Sequence, residues 1–170
     1  ANGDLSSEGT LIKGALVTEL DAEIAHPTPV SEITVIGKGI SANPQVITEM
    51  VEKVKENSML LGMSMNTNSI ILYVPQEKNI ETLFNQIHKI TTNNKETIAM
   101  AVKKDLVFIQ TTGVGLEETH GIIGRISEDL RVNGINISGI LTITSSILLF
   151  VDWNEKEKAL KLIKNSLKTH

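Results

Sequence analysis

The chain has 170 residues, of which 41% are hydrophobic, and it carries a formal charge of −4 at neutral pH. This composition is typical of a globular protein, and the acidic balance provides no basic field for a nucleic acid. Only 3% of the residues are aromatic, so stacking platforms for single strands are missing too. The lack of cysteine excludes disulfides, thiolate catalysis and cysteine-ligated metal, and it favours a cytoplasmic protein. No apolar run approaches the roughly 20 residues that cross a membrane.

The sequence contains the same unit twice. The turn Gly37-Lys38-Gly39 recurs 76 residues later as Gly113-Val114-Gly115, and residues 68–74 correspond to 145–151 after a shift of one residue. Each copy is read as a strand, a glycine-containing turn, a helix, two strands and a second helix. The predicted fold class is α+β, with two ferredoxin-like βαββαβ domains whose antiparallel sheets carry helices on one face. The first unit is expected at 31–104 and the second at 105–170, preceded by a linker and strand at 1–30.

The first 31 residues are the least regular part of the chain. Residues 11–18 predict one extended strand. The segment 26–29, His-Pro-Thr-Pro, resists helix formation and indicates an extended linker. The chain starts at Ala1 rather than Met, which favours a processed product or a piece of a longer protein.

In the first unit, the β-branched run at 33–36 predicts a strand that stops at Gly37. Pro44 suits a first helical turn, where its missing N–H costs nothing. The apolar residues that follow lie on one helical stripe, namely Ile47, Met50, Val51 and Val54. Two strands at 59–66 and 69–74, a helical stripe over 80–90 and a closing strand at 97–103 complete the predicted unit.

The second unit repeats this order and stops one element short. A strand is predicted at 106–111, and Thr119 is a plausible N-cap for a helix whose buried face is Ile122, Ile123, Ile126 and Leu130. Asn133-Gly134 ends that helix, because glycine adopts the positive φ of a C-terminal cap. Strands at 135–143 and 146–151 and a last helical stripe over 159–167 follow. No fourth strand remains, so the N-terminal strand is expected to cover the open sheet edge.

The glycine turns invite a nucleotide-binding interpretation, which the residues do not support. Glu118 stands where a dinucleotide fingerprint requires its third glycine, and an acid beside a helix N-terminus repels phosphate. The alternatives are a tight structural turn and a turn whose backbone amides hold a small carboxylate. His120 has no second histidine at ligand spacing, so a polar residue at a helix N-terminus is a better interpretation than a metal ligand. The spacing gives no catalytic arrangement, metal site or cofactor site.

The second unit carries a set of motifs that points to a family. Residues 134–137 are Gly-Ile-Asn-Ile, 144–145 are Thr-Ser, 151–152 are Val-Asp, and a terminal helix is predicted over 156–167. With the glycine turns, these motifs resemble the ACT domain, and in particular the tandem ACT pair at the C-terminus of aspartokinases. Residues 9–12, Gly-Thr-Leu-Ile, resemble the sequence that closes the aspartokinase catalytic domain. The Lys-Phe-Gly-Gly motif of that domain is absent, so the resemblance implies the regulatory part of aspartate kinase, an ATP-dependent phosphotransferase, without its catalytic half.

The resemblance implies feedback control by an end-product amino acid, lysine or threonine. Such pairs bind the effector between the first strand-helix turn of one domain and the second strand of a partner domain. Carried over by position, the effector-binding residues in the first unit are Lys38, Gly39, Ser41, Pro44, Val46, Leu60, Leu61 and Gly62. In the second unit they are Gly113, Val114, Gly115, Glu117, Thr119, His120, Asn136, Ile137, Ser138 and Gly139. Backbone amides of turns and strands suit the effector carboxylate.

One departure from the family bears on the choice of effector. Lysine-responsive members carry an acid on the second strand, where this chain has Leu61 and Ser138. A buried ammonium without a carboxylate is unfavourable by about 3–5 kcal/mol. Threonine or another neutral amino acid is therefore expected in preference to lysine, unless Glu117 or Glu118 supplies the acid. A pair that binds no effector remains an alternative.

Two functional hypotheses follow from the resemblance. The first is an effector-binding module of an amino-acid kinase, whose partners are a second copy of the chain in a homodimer and the catalytic kinase domain. The second is a free-standing tandem ACT protein that serves sensing or oligomerisation. Neither hypothesis makes this chain catalytic by itself, and neither calls for nucleic acid, membrane or cofactor.

Overall fold

A computed structural model describes residues 20–116, 118–143 and 145–168. The strands are β1 (Asp21–Ile24), β2 (Val30–Gly37), β3 (Gly62–Asn66), β4 (Ser69–Pro75), β5 (Thr97–Thr112), β6 (Ile137–Ile143) and β7 (Ser146–Asp152). The helices are α1 (Pro44–Asn57), α2 (Ile80–Asn93), α3 (Ile122–Val132) and α4 (Lys156–Lys168), with short 3-10 turns at Ile40–Ala42 and Trp153–Glu155. The strand predicted at 11–18 lies outside the described residues.

The described strands form one antiparallel sheet in the order β3-β4-β2-β5-β7-β6, with β1 also paired to β5. β2 pairs with the first half of β5, whereas β1 and β7 pair with its second half. This gives two ferredoxin-like half-sheets, β3-β4-β2-β5 and β1-β5-β7-β6, as the duplicated sequence predicted. An N-terminal strand does complete the second half-sheet, and the strand seen in that place is β1 at Asp21–Ile24.

β5 is longer than the sequence suggested. The predicted strands at 97–103 and 106–111 are parts of a single strand of 16 residues. Asp105 lies between them with a φ of 58°, the only positive φ of a non-glycine residue among the described residues. Aspartate is one of the residue types that tolerate this conformation, so the chain bends there without ending the strand.

Each half-sheet packs its helices on one face around its own apolar core. α1 and α2 cover the first core and α3 and α4 the second, and the predicted helical stripes supply most of the buried side chains that these helices contribute. Ile123 was predicted in the buried face of α3 but is 38% exposed. The predicted N-cap at Thr119 is wrong: α3 begins at Ile122 after Gly121, whose φ is 75°, and the Thr119 hydroxyl donates to the Gly115 carbonyl at 2.8 Å.

The opposite faces of the two half-sheets pack against each other. The rings of Tyr73 on β4 and Phe150 on β7 stack with centroids 3.7 Å apart, and Phe108 stacks on Phe150 at 5.1 Å. Burial, with the Glu32 carboxylate beside it, raises the pKa of the Tyr73 hydroxyl. Gly139 on β6 lies directly against this hydroxyl, so a Cβ at that position would overlap it. The two repeats are therefore joined both through β5 and through this aromatic contact.

We expect Gly139→Ala to lower the free energy of unfolding by about 1–3 kcal/mol, because the added methyl overlaps the Tyr73 hydroxyl. In a Tyr73→Phe background the loss should shrink, because the obstructing oxygen is gone. Urea denaturation of the four proteins in this cycle measures the coupling. Gly124→Ala in α3 is the matched control: a Cβ there meets nothing within 4 Å, and the helix should gain about 0.5–1 kcal/mol. Equal losses in both Tyr73 backgrounds would contradict the described contact.

Candidate functional site

The turn of the first unit is closed by its own hydrogen bonds. The Lys38 N–H donates to the Glu96 carbonyl at 2.8 Å, and the Gly39 N–H donates to Asn68 Oδ1 at 3.0 Å. The Ser41 N–H reaches the Thr67 carbonyl at 3.5 Å. These are the amides that would receive an effector carboxylate. Acceptors in the β3–β4 hairpin and in the segment just before β5 already bind these amides.

Pro44 and Val46 have structural roles in the same turn. Pro44 is the first residue of α1, and the side chain of Asn43 caps this helix by accepting from the Val46 N–H at 3.3 Å. The Val46 side chain is buried in the first core. Both residues start the helix, and neither offers a polar group to a ligand.

The corresponding turn of the second unit is more open. The Leu116 N–H reaches the Gly113 carbonyl at 3.4 Å and the Glu118 N–H the Gly115 carbonyl at 3.1 Å. The N–H groups of Val114 and Gly115 have no acceptor among the residues that the structure describes, and the Val114 side chain is 60% exposed. Among the described residues, the same sequence motif thus leaves the amides of Val114 and Gly115 without an acceptor, whereas those of Lys38 and Gly39 are bonded. Glu117, the remaining predicted residue of this turn, lies outside the described residues.

A pocket of about 600 Å³ lies between this turn, the start of α3 and the β6–β7 hairpin. Its wall combines an imidazole, three hydroxyls and an apolar floor; it consists of Leu116, Thr119, His120, Gly121, Ile122, Ile123, Thr142, Ile143, Ser146 and Ile147. No carboxylate belongs to this described lining. The arrangement suits a small molecule with one anionic end and a short polar or apolar side chain.

The hairpin residues of the pocket were missed by the sequence argument. The hairpin lines the pocket because Thr112, at the end of β5, pairs with Ser146, at the start of β7. The residues that it contributes include Thr142, Ile143 and Ser146. In a ferredoxin-like unit the first and third strands are antiparallel neighbours, so the turn after the first lies beside the hairpin before the third. This register was the signal that could have identified them.

The predicted second-strand residues lie elsewhere in the same unit. Asn136 precedes β6, Ile137 begins it opposite Val151, and Ser138 accepts a hydrogen bond from Lys103 Nζ at 2.7 Å. From Ser138 to the pocket wall at Ile143 the strand runs about 17 Å at the usual rise of 3.4 Å per residue. Within one chain, the structure therefore does not bring these residues to the turn.

The second-strand residues of the first unit face the other half of the same chain. The Leu61 N–H donates to the Tyr73 carbonyl at 2.9 Å, and its side chain packs against the aromatic cluster between the half-sheets. A Cβ on Gly62 would lie within 2.8 Å of the Leu141 side chain of β6. Leu60 packs against the first core. These residues join the two units, and Leu61 and Gly62 also line a pocket of about 450 Å³ between β3 and β6.

Within 20–116, 118–143 and 145–168, no group of three or more histidine or acidic side chains could hold a metal ion. None of the helices in these ranges is both long and apolar enough to cross a bilayer.

Comparison with known proteins gives matches in structure and none in sequence. No model of a known protein family matches the chain, and no curated protein matches it significantly. The aspartate kinase of Clostridium acetobutylicum superposes with a TM-score of 0.76 at 16% identity, over 92% of this chain and 37% of that one. The regulatory subunit of aspartate kinase from Thermus flavus gives 0.70 at 14% identity, over 90% and 99%. A putative C-terminal regulatory domain of aspartate kinase from Porphyromonas gingivalis gives 0.64 at 19%, over 88% and 96%.

The fold is therefore that of a tandem ACT regulatory fragment. The structures that it matches from end to end are regulatory portions of aspartate kinase, so the resemblance predicted from the sequence is confirmed at the level of the fold. The chain spans 37% of the length of the Clostridium enzyme. At identities below 20% the likeness concerns the fold, and function has to be argued from the site.

The closed turn of the first unit can be tested through Asn68. We expect Asn68→Ala to lower the free energy of unfolding by about 1 kcal/mol, because the Gly39 N–H loses its acceptor. Asn85→Ala, at an exposed position of α2, is the matched control and should change stability by less than about 0.5 kcal/mol. Equal effects of the two substitutions in urea denaturation would show that the Asn68 bond does not hold this turn.

Proposed function

We propose that this chain is the regulatory, effector-binding part of an aspartate kinase and that a small neutral amino acid binds in the pocket of the second unit. The fold supports the regulatory role, since the structures matched over nearly their whole length are regulatory portions of that enzyme. The observation that carries the site is the contrast between the two turns: one has its amides occupied, and the other opens into a pocket.

The carboxylate of the effector would bind to the turn that precedes α3. The N–H groups of Val114 and Gly115 supply donors, and the positive end of the 11-residue α3 faces the same pocket through Gly121. Both favour an anionic group.

Selectivity would come from the hairpin side of the pocket. Thr142 and Ser146 offer hydroxyls beside the apolar side chain of Ile143. A threonine-sized side chain matches this mixture of one hydroxyl and one methyl. A lysine ammonium would find no carboxylate in the described lining, and an unpaired buried charge costs several kcal/mol. The expectation of a neutral effector, first drawn from Leu61 and Ser138, therefore rests better on the pocket lining.

A second function is favoured by the closed turn of the first unit. A free-standing tandem ACT protein that serves oligomerisation would need no open turn, and the first unit has none. In either case a second copy of the chain is a proposed partner. A catalytic kinase domain is a proposed partner only in the first case.

We expect threonine to raise the melting temperature of the protein and lysine to leave it nearly unchanged. A ligand at 100 times its dissociation constant adds about 2.7 kcal/mol of stability, which a thermal-shift screen against the proteinogenic amino acids detects. His120→Ala should reduce the shift, because the imidazole lines the pocket, whereas His88→Ala on α2 should not. A larger shift with lysine than with threonine would overturn the assignment, and no shift with any amino acid would favour the oligomerisation function.

Two aspartate substitutions distinguish the pocket from the second-strand position. Thr142→Asp places an acid in the pocket wall, so we expect it to create a response to lysine. Ser138→Asp places the same acid next to Lys103 and should not. Because both positions lie on β6, they control for the effect of an added charge on this strand. A lysine response in Ser138→Asp alone would move the site to the other end of β6.

A further inference from the structure

The connection from α3 to β6 begins with the dipeptide Asn133-Gly134. Asparagine followed by glycine is the sequence in which an asparagine side chain loses its amide most readily, because glycine has no side chain to hinder attack by its own backbone nitrogen. Both residues are exposed to solvent. Within the part of the chain that the structure describes, this dipeptide occurs once, so the most reactive described amide lies at the end of α3.

The reaction closes a ring on the backbone. The nitrogen of Gly134 loses its proton to a solvent base and attacks Cγ of Asn133, and ammonia leaves from that carbon. Water then opens the cyclic imide at either of its carbonyl groups. The product is aspartate, or isoaspartate, in which the backbone passes through the former side chain. An amide nitrogen is exchanged for a water oxygen, and no electrons are gained or lost.

The folded protein holds the two reacting atoms away from each other. The side chain of Asn133 points back along α3, where Nδ2 donates to the Asp129 carbonyl at 2.8 Å. Ring closure requires this side chain to turn forward onto the Gly134 nitrogen, which breaks that bond. The Gly134 N–H donates to the Arg131 carbonyl at 3.0 Å. The attacking nitrogen therefore also has to give up a bond before it can lose its proton.

The peptide group between the two residues is bound at both ends. Its N–H is the donor to Arg131, and its oxygen, the Asn133 carbonyl, accepts from Lys158 Nζ of α4 at 2.7 Å. In the ring the nitrogen lies on the Cβ side of the Cα–C bond, so ring closure requires this group to rotate away from the ψ of 8° observed at Asn133. That rotation moves the oxygen away from the lysine. Lys158 thus opposes the reaction from a different helix.

The first repeat has a similar helix end without the reactive dipeptide. Nδ2 of Asn57 donates to the Lys53 carbonyl at 2.9 Å, and the following Ser58 N–H donates to the Val54 carbonyl at 2.7 Å. In the second repeat the following residue is Gly134, whose φ of 74° is a helix-ending conformation that glycine adopts without strain. The residue type that ends α3 is therefore also the one that makes its neighbour reactive.

We propose that Asn133 is a site of spontaneous deamidation by water and that the bonds at the end of α3, including the bond from Lys158, restrain the reaction in the folded protein. Its rate is set by transient opening of this helix end rather than by unfolding of the whole chain. The site is separate from the effector pocket, whose lining includes neither Asn133 nor Gly134. The proposal therefore stands apart from effector binding.

The products damage the second unit. An aspartate at this position turns a carboxylate toward the Asp129 carbonyl and places a negative charge at the C-terminal end of a helix, where it is unfavourable. Isoaspartate also lengthens the backbone directly before Ile135, which is buried in the second core. A brief opening of the helix end is thus converted into a permanent loss of stability.

Peptide mapping by mass spectrometry measures the reaction. The folded protein and the urea-unfolded protein are incubated in mildly alkaline buffer made with heavy-oxygen water, and the fraction of the Asn133 peptide that gains a heavy oxygen is followed. Three bonds have to break in the folded state, and each contributes about a factor of five, so we expect the folded protein to react about a hundredfold more slowly.

Two lysine variants test the restraint by α4. Lys158→Met should raise the rate in the folded protein about fivefold, because the Asn133 carbonyl loses its donor. Lys161→Met removes another exposed lysine of the same helix and should leave the rate unchanged. In urea both variants should react like the wild type. Asn57-Ser58 in the first unit reports opening of the whole chain, and its rate should not respond to Lys158→Met.

A separate pair of variants measures the damage. Asn133→Asp should lower the melting temperature by about 2–4 °C, because the carboxylate cannot donate to the Asp129 carbonyl. Asn85→Asp adds the same charge at an exposed position of α2 and should change the melting temperature less.

Each contrary outcome overturns a stated part of the proposal. Equal rates in the folded and unfolded protein would overturn the protection by the fold. Acceleration by Lys161→Met as large as that by Lys158→Met would overturn the role of the bond to the Asn133 carbonyl. A rise at Asn57-Ser58 that matches the rise at Asn133 would show that the whole chain has to open. A melting temperature that Asn133→Asp leaves unchanged would overturn the damage.

Discussion

The rest of the structure depends on the length of one strand. β5 closes the first half-sheet with residues 97–106 and opens the second with residues 106–112, so a single run of backbone hydrogen bonds belongs to both units. Because the strand is continuous, the two half-sheets have a fixed relation, and their inner faces meet where Tyr73 stacks on Phe150. Among the described strands, β7 pairs with β5 only from Leu106 onwards. The fold and the packing between the two units both follow from this geometry.

The two turns show how duplication separates structure from function. Both have the Gly-x-Gly pattern, but in the first unit Asn68 and Glu96 take up the amides of Gly39 and Lys38. In the second unit the position that corresponds to Asn68 is Ser145, whose shorter side chain forms no such bond among the described residues. One copy has thus become a rigid connection, and the other retains an opening that suits a ligand. The side chain of Asn68 accounts for the occupied amide of Gly39, whereas the amide of Lys38 donates to the carbonyl of Glu96, outside the hairpin.

Two residues of the pocket wall were among the predicted site residues, and the other assignments stay predictions. Thr119 and His120 were found from the repeat and the family resemblance, and both line the pocket. Asn136 and Ser138 were assigned to the same site because the family places a second strand of a partner domain there. In a single chain they lie at the far end of β6, and the hairpin residues Thr142 and Ser146 take that place. Residue spacing predicts where the strands lie in the sequence. It does not predict which end of each strand lies next to a given turn.

The sequence by itself determined the duplicated α+β architecture, the helix faces and the need for an extra N-terminal strand, because periodicity and turn residues act locally. It also determined the absence of thiol chemistry. Only the tertiary structure decided that residues 97–112 are one strand, that residues 21–24 complete the second half-sheet, and that the turn amides are occupied in one unit and open in the other. These features depend on register between residues far apart in the chain, and the free energy that selects a register comes from packing and hydrogen bonds formed only in the folded protein.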